Sequence, residues 1–301
     1  MEKQFRYYLG RITKGGVLKT NDLIDAIMQP MIISKKEYSY TFANMQYDRS
    51  RNFIFGKLVK FKPEGKVETL EPEQHLESTL NTPNKRESSS AFIIVLDYMG
   101  IVYPHIWNSL LKDQFERYFA DLIHEKHDNF FVSCDIDPIV DLRSFVEHIS
   151  HMDKVDKISA TVVPPNPLFG PVWKDLKEYM EGRGSGELTI NEKSKYINGI
   201  KTKIMDIVTS VFEAEKMNDS EQKNKFFENK KFDISDAAIL MAADGYGRAR
   251  IEGSSGKDKV VIRTKDNQKS FLFDKDPNIN DLFELALEEF EKINGERYLN
   301  H

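Results

Sequence analysis

Apolar positions along the chain follow two periods, and the switches between them mark the elements. Residues Phe5 to Thr13 alternate as a strand does. TNDLIDAIMQP reads as a short helix capped by Thr20 or Asn21 and stopped before Pro30. YSYTFANMQYDRSRNFIFGKLVKF reads as two strands turning at Asp48 to Asn52, and AFIIVLDYMGIVY as a strongly apolar strand pair turning at Tyr98 to Gly100, central in a sheet. From Ile106 to Lys126 the apolar residues, among them Leu110, Phe115, Phe119, Leu122 and Ile123, recur at three-and-four spacing, which predicts an amphipathic helix.

The second half alternates strand and helix. NFFVSCDID predicts a strand, DLRSFVEHISHM a helix capped by Asp141, DKISATVV a strand, GPVWKDLKEYMEGRG a helix with Pro171 in its first turn, and GELTINEKS a strand. A helix is expected from Ile197 to about Glu215 and another over ISDAAILMAADGYG, capped by Asp233 or Ser235 and stopped by Gly245. Three short strands and a last helix from about Asn280 to Ile293 complete an α+β chain with mixed sheets and packed helices.

Three polar stretches interrupt this pattern. Lys62 to Ser90 is rich in Pro, Glu, Ser, Asn and Thr and reads as a long exposed loop. PPNPLFGP (Pro164 to Pro171) reads as a rigid crossover between strand and helix, and KMNDSEQKNKFFENKKF as a polar interval. A single core seldom grows far past about 250 residues. The 301 residues are therefore expected to form two domains, 1–128 and 129–301.

Composition narrows the class. With 40% hydrophobic and 30% charged residues the chain suits a folded domain rather than a disordered one. Its one cysteine, Cys134, excludes an internal disulfide and a cysteine-based zinc cluster and suits a reducing compartment. MEKQFRYYLGRITKGG lacks the apolar core of a signal peptide, and no window approaches the roughly 18 apolar residues of a membrane span, so a cytoplasmic protein away from membranes is expected. The net charge of -5 argues against a wholly basic nucleic-acid binder but leaves room for a local basic patch.

The candidate patch lies in ADGYGRARIEGSSGKDKVVIRTKDN, residues 243–267. A dinucleotide loop or P-loop needs its glycines on a turn from strand into helix; here Gly245 and Gly247 lead out of a helix into a strand, so no nucleotide cofactor is expected. Strand alternation instead places Arg248 and Arg250 on one face, and Lys259, Arg263 and Lys265 on one face of the next strand, with GSSG as the turn. Between Asp244 and Lys269 seven basic residues (Arg248, Arg250, Lys257, Lys259, Arg263, Lys265, Lys269) stand against four acids, opposite in sign to the whole chain. Such a ribbon suits a phosphate backbone, with Tyr246 available to stack on a base or sugar. The wet face of any half-buried hairpin carries charges too, and the sequence leaves both readings open.

Other chemistry finds less support. His124 with His127, and His148 with His151, are three apart rather than at zincin spacing, and surface histidines near helix ends explain them. Cys134 sits in an apolar strand as a small hydrophobe. Glu187, Glu192 and Lys193 are the nearest approach to a metal-dependent nuclease and lack a well-spaced partner Asp, so neither a catalytic nor a metal site is assigned.

The block from FFVSCDID to LKEYM, followed by AADGYGRARIEG and VVIRTKDN, resembles a poorly characterised group of bacterial phage-defence-associated proteins. It is also distantly similar to RexA- and KwaB-type DNA-binding proteins. The resemblance spans roughly Asn129 to Phe273 and lies in element order and short motifs. It implies a non-enzymatic, often dimeric α+β protein that engages invading DNA, double-stranded and without strong sequence preference. The alternatives are a sensor or toxin regulator that meets a defence-system or phage protein, and a cryptic nuclease.

Overall fold

The computed structural model describes residues 4–71, 76–107, 109–165, 171–215 and 232–297. The first part of the chain runs β1 (Gln4–Gly16), α1 (Thr20–Met28), β2 (Ile33–Lys35), β3 (Tyr38–Asp48), β4 (Phe53–Glu71), β5 (Leu76–Val95), β6 (Gly100–Pro104) and α2 (Lys112–Lys126). There follow β7 (Val132–Pro138), α3 (Leu142–Ser150), β8 (Lys154–Val162), α4 (Lys174–Gly182), β9 (Leu188–Lys193), α5 (Ile204–Glu215) and α6 (Ile234–Ala243). Last come β10 (Gly247–Ser255), β11 (Asp258–Arg263), β12 (Ser270–Asp274) and α7 (Ile279–Arg297). The fold is α+β, and each ladder between these strands is antiparallel.

The strands form two sheets. The first has the order β12-β1-β6-β5-β4-β3-β2, with β7 also on β1; the second has the order β11-β10-β8-β9. In the first sheet α1 and α2 cover one face, where Phe42, Phe92, Phe115 and Phe119 interlock. On the other face α7 lays Leu282, Phe283, Ala286 and Phe290 over Phe53, Phe55, Ile93 and Val102. Strands covered on both faces read as unbroken apolar runs, which is why all of AFIIV (Ala91 to Val95) is buried. Among the described residues the second sheet is covered on one face only. There α3, α4, α5 and α6 pack on Ile158, Ala160, Val162, Ala249 and Ile251, while the alternate residues face solvent.

Two expectations change here. The division at residue 128 does not separate the sheets, because β7, β12 and α7 return to the first one. One edge of β1 is shared end to end: Gln4 to Tyr8 pair with β12, and Gly10 to Gly16 with β7. The long loop expected over Lys62 to Ser90 is instead the body of a β4–β5 hairpin, paired from Phe53↔Val95 to Glu71↔Leu76 with a one-residue register shift between Lys60 and Phe61, and with residues 72–75 outside the described set. The third sheet neighbour β3 stops pairing with β4 at Phe61, so beyond that point the ribbon is two-stranded and lacks an apolar side to bury. Its polar, proline-bearing composition therefore resembles that of a loop.

Smaller differences are local. The 106–126 helix begins at Lys112, after an Ile106↔Leu110 bridge, and the 197–215 helix begins at Ile204. The Asp141 cap is present, its carboxylate accepting from Ser144 N–H at 3.1 Å. The middle of PPNPLFGP (166–170) and the polar interval 216–231 lie outside the described residues. Among the described residues no helix is long and apolar enough to cross a membrane.

The sheets meet at a buried polar junction. The Asp244 carboxylate, at the C-terminal end of α6, accepts from Arg297 Nη1 at 2.7 Å and from Trp173 Nε1 at 2.9 Å. Arg11, fully buried on β1, donates to the Asp244 carbonyl at 3.0 Å and lies 4.9 Å above the Tyr246 ring. A buried charge is tolerated when such partners surround it.

Candidate nucleic-acid interface

Gly245 and Gly247 have structural work that excludes a phosphate cradle. Gly245, at φ +88°, ends α6, and a Cβ on it would meet the Arg11 and Ile139 side chains at about 3 Å. Gly247, at φ +138°, lets β10 approach β8 so closely that a Cβ would lie 2.1 Å from the Thr161 carbonyl oxygen. Both glycines are pressed against protein rather than open to a ligand. The hairpin turn is Gly256–Lys257, not GSSG, because Ser254 and Ser255 still pair with Lys259 and Asp258.

The register of the second sheet places its outward side chains in rows. Arg248 lies beside Thr161 and Thr189; Arg250 lies between Arg263 and Ser159, with Asn191 beyond. Glu252 lies between Val261 and Lys157, with Lys193 beyond, and Ser254 lies between Lys259 and Lys154. Seven basic residues (Arg248, Arg250, Arg263, Lys154, Lys157, Lys193, Lys259) thus share this face with one ladder acid, Glu252; Asp156 joins at the β8 bulge, 3.1 Å from Lys154. Between the charges runs a neutral polar strip in which Ser159 Oγ donates to Asn191 at 2.7 Å and the Thr161 and Thr189 hydroxyls meet at 3.0 Å.

The expected ribbon residues divide. Arg248, Arg250, Lys259 and Arg263 are on the face and Lys257 is at its tip, exposed. Lys265 is not: β11 ends at Arg263, and the following 3-10 turn swings Lys265 toward Asp113 on α2 at 3.8 Å. Lys269 turns away to Glu289 on α7 at 3.1 Å. Tyr246 is 1% exposed, between Arg11 and Trp173, so it cannot stack on a nucleotide from there. Lys154, Lys157 and Lys193 were missed. Alternation in KVDKISATV and LTINEK marks them as outward, but which strands lie side by side is a tertiary fact.

The face has an acidic margin. Arg248 reaches from β10 to β7, 3.1 Å from the buried carboxylate of Asp137 and 3.7 Å from Asp135. Thr13 Oγ1 donates to the other Asp137 oxygen at 2.9 Å. Burial pushes the Asp137 carboxyl up to about 6 although Arg248 and the Thr13 hydrogen bond pull it down. Nearby, burial raises Glu116, which accepts from Tyr103 Oη at 2.6 Å.

The remaining candidates do not converge. His124 Nε2 accepts from Cys134 N–H, His148 contacts Asn267, and His151 contacts the Glu147 carbonyl. Among the described residues no group of three or more His, Cys, Asp or Glu could hold a metal ion. Burial raises the Cys134 thiol, as expected of a packed hydrophobe. Glu192 and Lys193 lie on opposite faces of β9, which disassembles the nuclease set.

At the far end of β7 a different surface appears. Phe130 and Phe131 are 69% and 72% exposed, their rings edge-to-face at 4.6 Å. Asp128, Asn129 and Phe131 are all left-handed, at φ 52°, 55° and 48°. That conformation costs roughly 1–2 kcal/mol for a residue such as Phe and less for Asp or Asn. Phe131 is fixed by its carbonyl, which accepts from Val17 N–H at 2.9 Å, and Gly16 must lack a Cβ to admit that oxygen.

Fold and surface together define an antiparallel α+β protein with one basic sheet face that is uncovered among the described residues. The chain belongs to the DUF4747 family, a domain of unknown function, whose family model matches residues 22–218. That stretch holds Lys154, Lys157, Lys193 and the Phe pair, and ends before β10. No curated protein matches the chain.

Proposed function

We propose that this chain binds nucleic acid through the outer face of the second sheet, by backbone contacts with little sequence preference. The observation that carries this reading is the imbalance on that face, seven basic side chains to two acids, Glu252 (paired with Arg250 at 3.2 Å and Lys157 at 3.6 Å) and Asp156, in a chain of net charge -5. Lys and Arg side chains around a hydroxyl and amide strip suit phosphates and sugars, which position a ligand without reading bases. A projecting two-stranded ribbon would favour a duplex groove. Here the ribbon is built into a four-stranded sheet, and the duplex preference loses its geometric basis. The resemblance to phage-defence-associated proteins supports placing this binding in antiviral defence, with invading DNA as the target and a homodimer as the working form.

The test is a salt-titrated binding assay with the Arg250→Ser/Arg263→Ser/Lys193→Ser variant. Arg248 is spared because it holds Asp137. The expected result is a folded protein whose log-affinity against log-salt slope is shallower by about 2–3. A variant with wild-type affinity and slope would return the face to the status of a solvated sheet surface.

A second reading has one observation in its favour. The β4–β5 ribbon leaves its sheet beyond Phe61, with backbone edges free for a protein partner among the described residues. A stoichiometric protein partner lost on deleting residues 64–83, with blank gel shifts, would favour it over nucleic acid.

A further inference from the structure

The exposed Phe130–Phe131 pair lacks a role in the fold. It belongs to none of the three apolar cores, yet its backbone is held in place by the Val17 N–H and by a glycine that admits no other residue. It also lies on a continuous path from the basic face. Ser133 and Asp135 are exposed along β7, with Asp137 buried beyond them; Arg248 touches both acids, and Phe131 directly precedes the strand. From Asp135 to Val132 is about 10 Å of strand. A cleft of about 340 Å³ that includes Gly16, the glycine facing the Phe131 carbonyl, has Lys14 and Lys19 in its lining, Lys14 donating to Thr20 at 2.6 Å. The acids on the way, Asp135 and Asp137, are already answered by Arg248.

We infer that Phe130 and Phe131 form a base-stacking platform, and that the ligand of the basic face is therefore a single-stranded nucleic acid. Bases of a duplex are stacked on one another and cannot reach an aromatic pair at a sheet margin. Bases of a single strand can, and stacking tolerates every base. Lysines and arginines track the phosphates while the rings take unstacked bases. This inference rests on the basic-face reading and adds the strandedness of the ligand.

The experiment uses labelled oligo-dT, its oligo-U counterpart and a duplex of equal length, read by fluorescence anisotropy across salt. The wild type is expected to prefer both single strands to the duplex; the two single-strand arms separate DNA from RNA. Phe130→Ala/Phe131→Ala is expected to weaken single-strand binding about tenfold to hundredfold with the salt slope unchanged, because no phosphate contact is lost. Phe130→Tyr/Phe131→Tyr should restore it and Phe130→Leu/Phe131→Leu should not. Alanine variants that bind oligo-dT like the wild type, or that only convert a dimer to a monomer in sedimentation, overturn the platform and leave the basic face standing. A wild type that binds no strand at low salt overturns both.

Discussion

The two sheets are made from the same antiparallel ladders and differ in how many faces are covered. In the first, helices lie on both sides, and the central strands carry apolar side chains without interruption. In the second, four helices crowd one side, and among the described residues nothing packs over Thr161, Ser159, Asn191 and the arginines on the other. A sheet face left open on an otherwise well-packed protein is free to carry chemistry, since its residues are not constrained by a core. Sequence variation should be cheap there and expensive in the first sheet.

The sharpest way to break this contrast is to truncate one side chain in each sheet. Phe92→Ala, at the centre of an aromatic cluster, is expected to cost about 3–5 kcal/mol in denaturant unfolding, whereas Thr161→Ala should stay within about 0.5 kcal/mol. Equal losses would mean that the second sheet's outer face is packed against something. Next comes the junction. Asp244→Ala strands Arg297 in the interior and should cost about 3–5 kcal/mol, and a loss near zero would show that the two sheets do not depend on this contact.

A smaller effect is expected from pH. Asp137 has a carboxyl raised by burial to about 6, so its neutral form favours the folded state. Its contribution to stability is fully present below the unfolded value near 4 and is lost as pH rises through about 6, some 2–3 kcal/mol in all. Asp137→Asn should flatten stability over that window, measured as chemical denaturation at pH 4 and pH 7. A variant with the wild-type slope would assign the pH dependence to other groups.

Where burial was one-sided or complete, the elements were legible. The 38–61 hairpin, the AFIIV strand, the Asp141-capped helix and the last helix all stand where periodicity and caps place them. The β4–β5 ribbon was illegible because its two-stranded part, exposed on successive residues from Thr79 to Asn84, leaves no apolar period to detect. At the candidate site, alternation identified Arg248, Arg250, Lys259 and Arg263 as outward. It failed for Tyr246, whose ring is buried by Arg11 and Trp173 from distant segments, and for Lys265 and Lys269, which follow the end of β11. Neither the register that adds Lys157 and Lys193 nor the left-handed turn that presents the Phe pair has a signature in local pattern.

The shared edge of β1 bears on how the protein is made. Gln4 pairs with Asp274, so the first strand cannot complete its hydrogen bonds until β12 has been synthesised. At translation rates of ~5–20 residues per second, that is a wait of roughly 15–50 seconds. Throughout that time a nascent chain carries an open strand edge next to an apolar sheet, which makes co-translational protection by a chaperone an advantage for this topology.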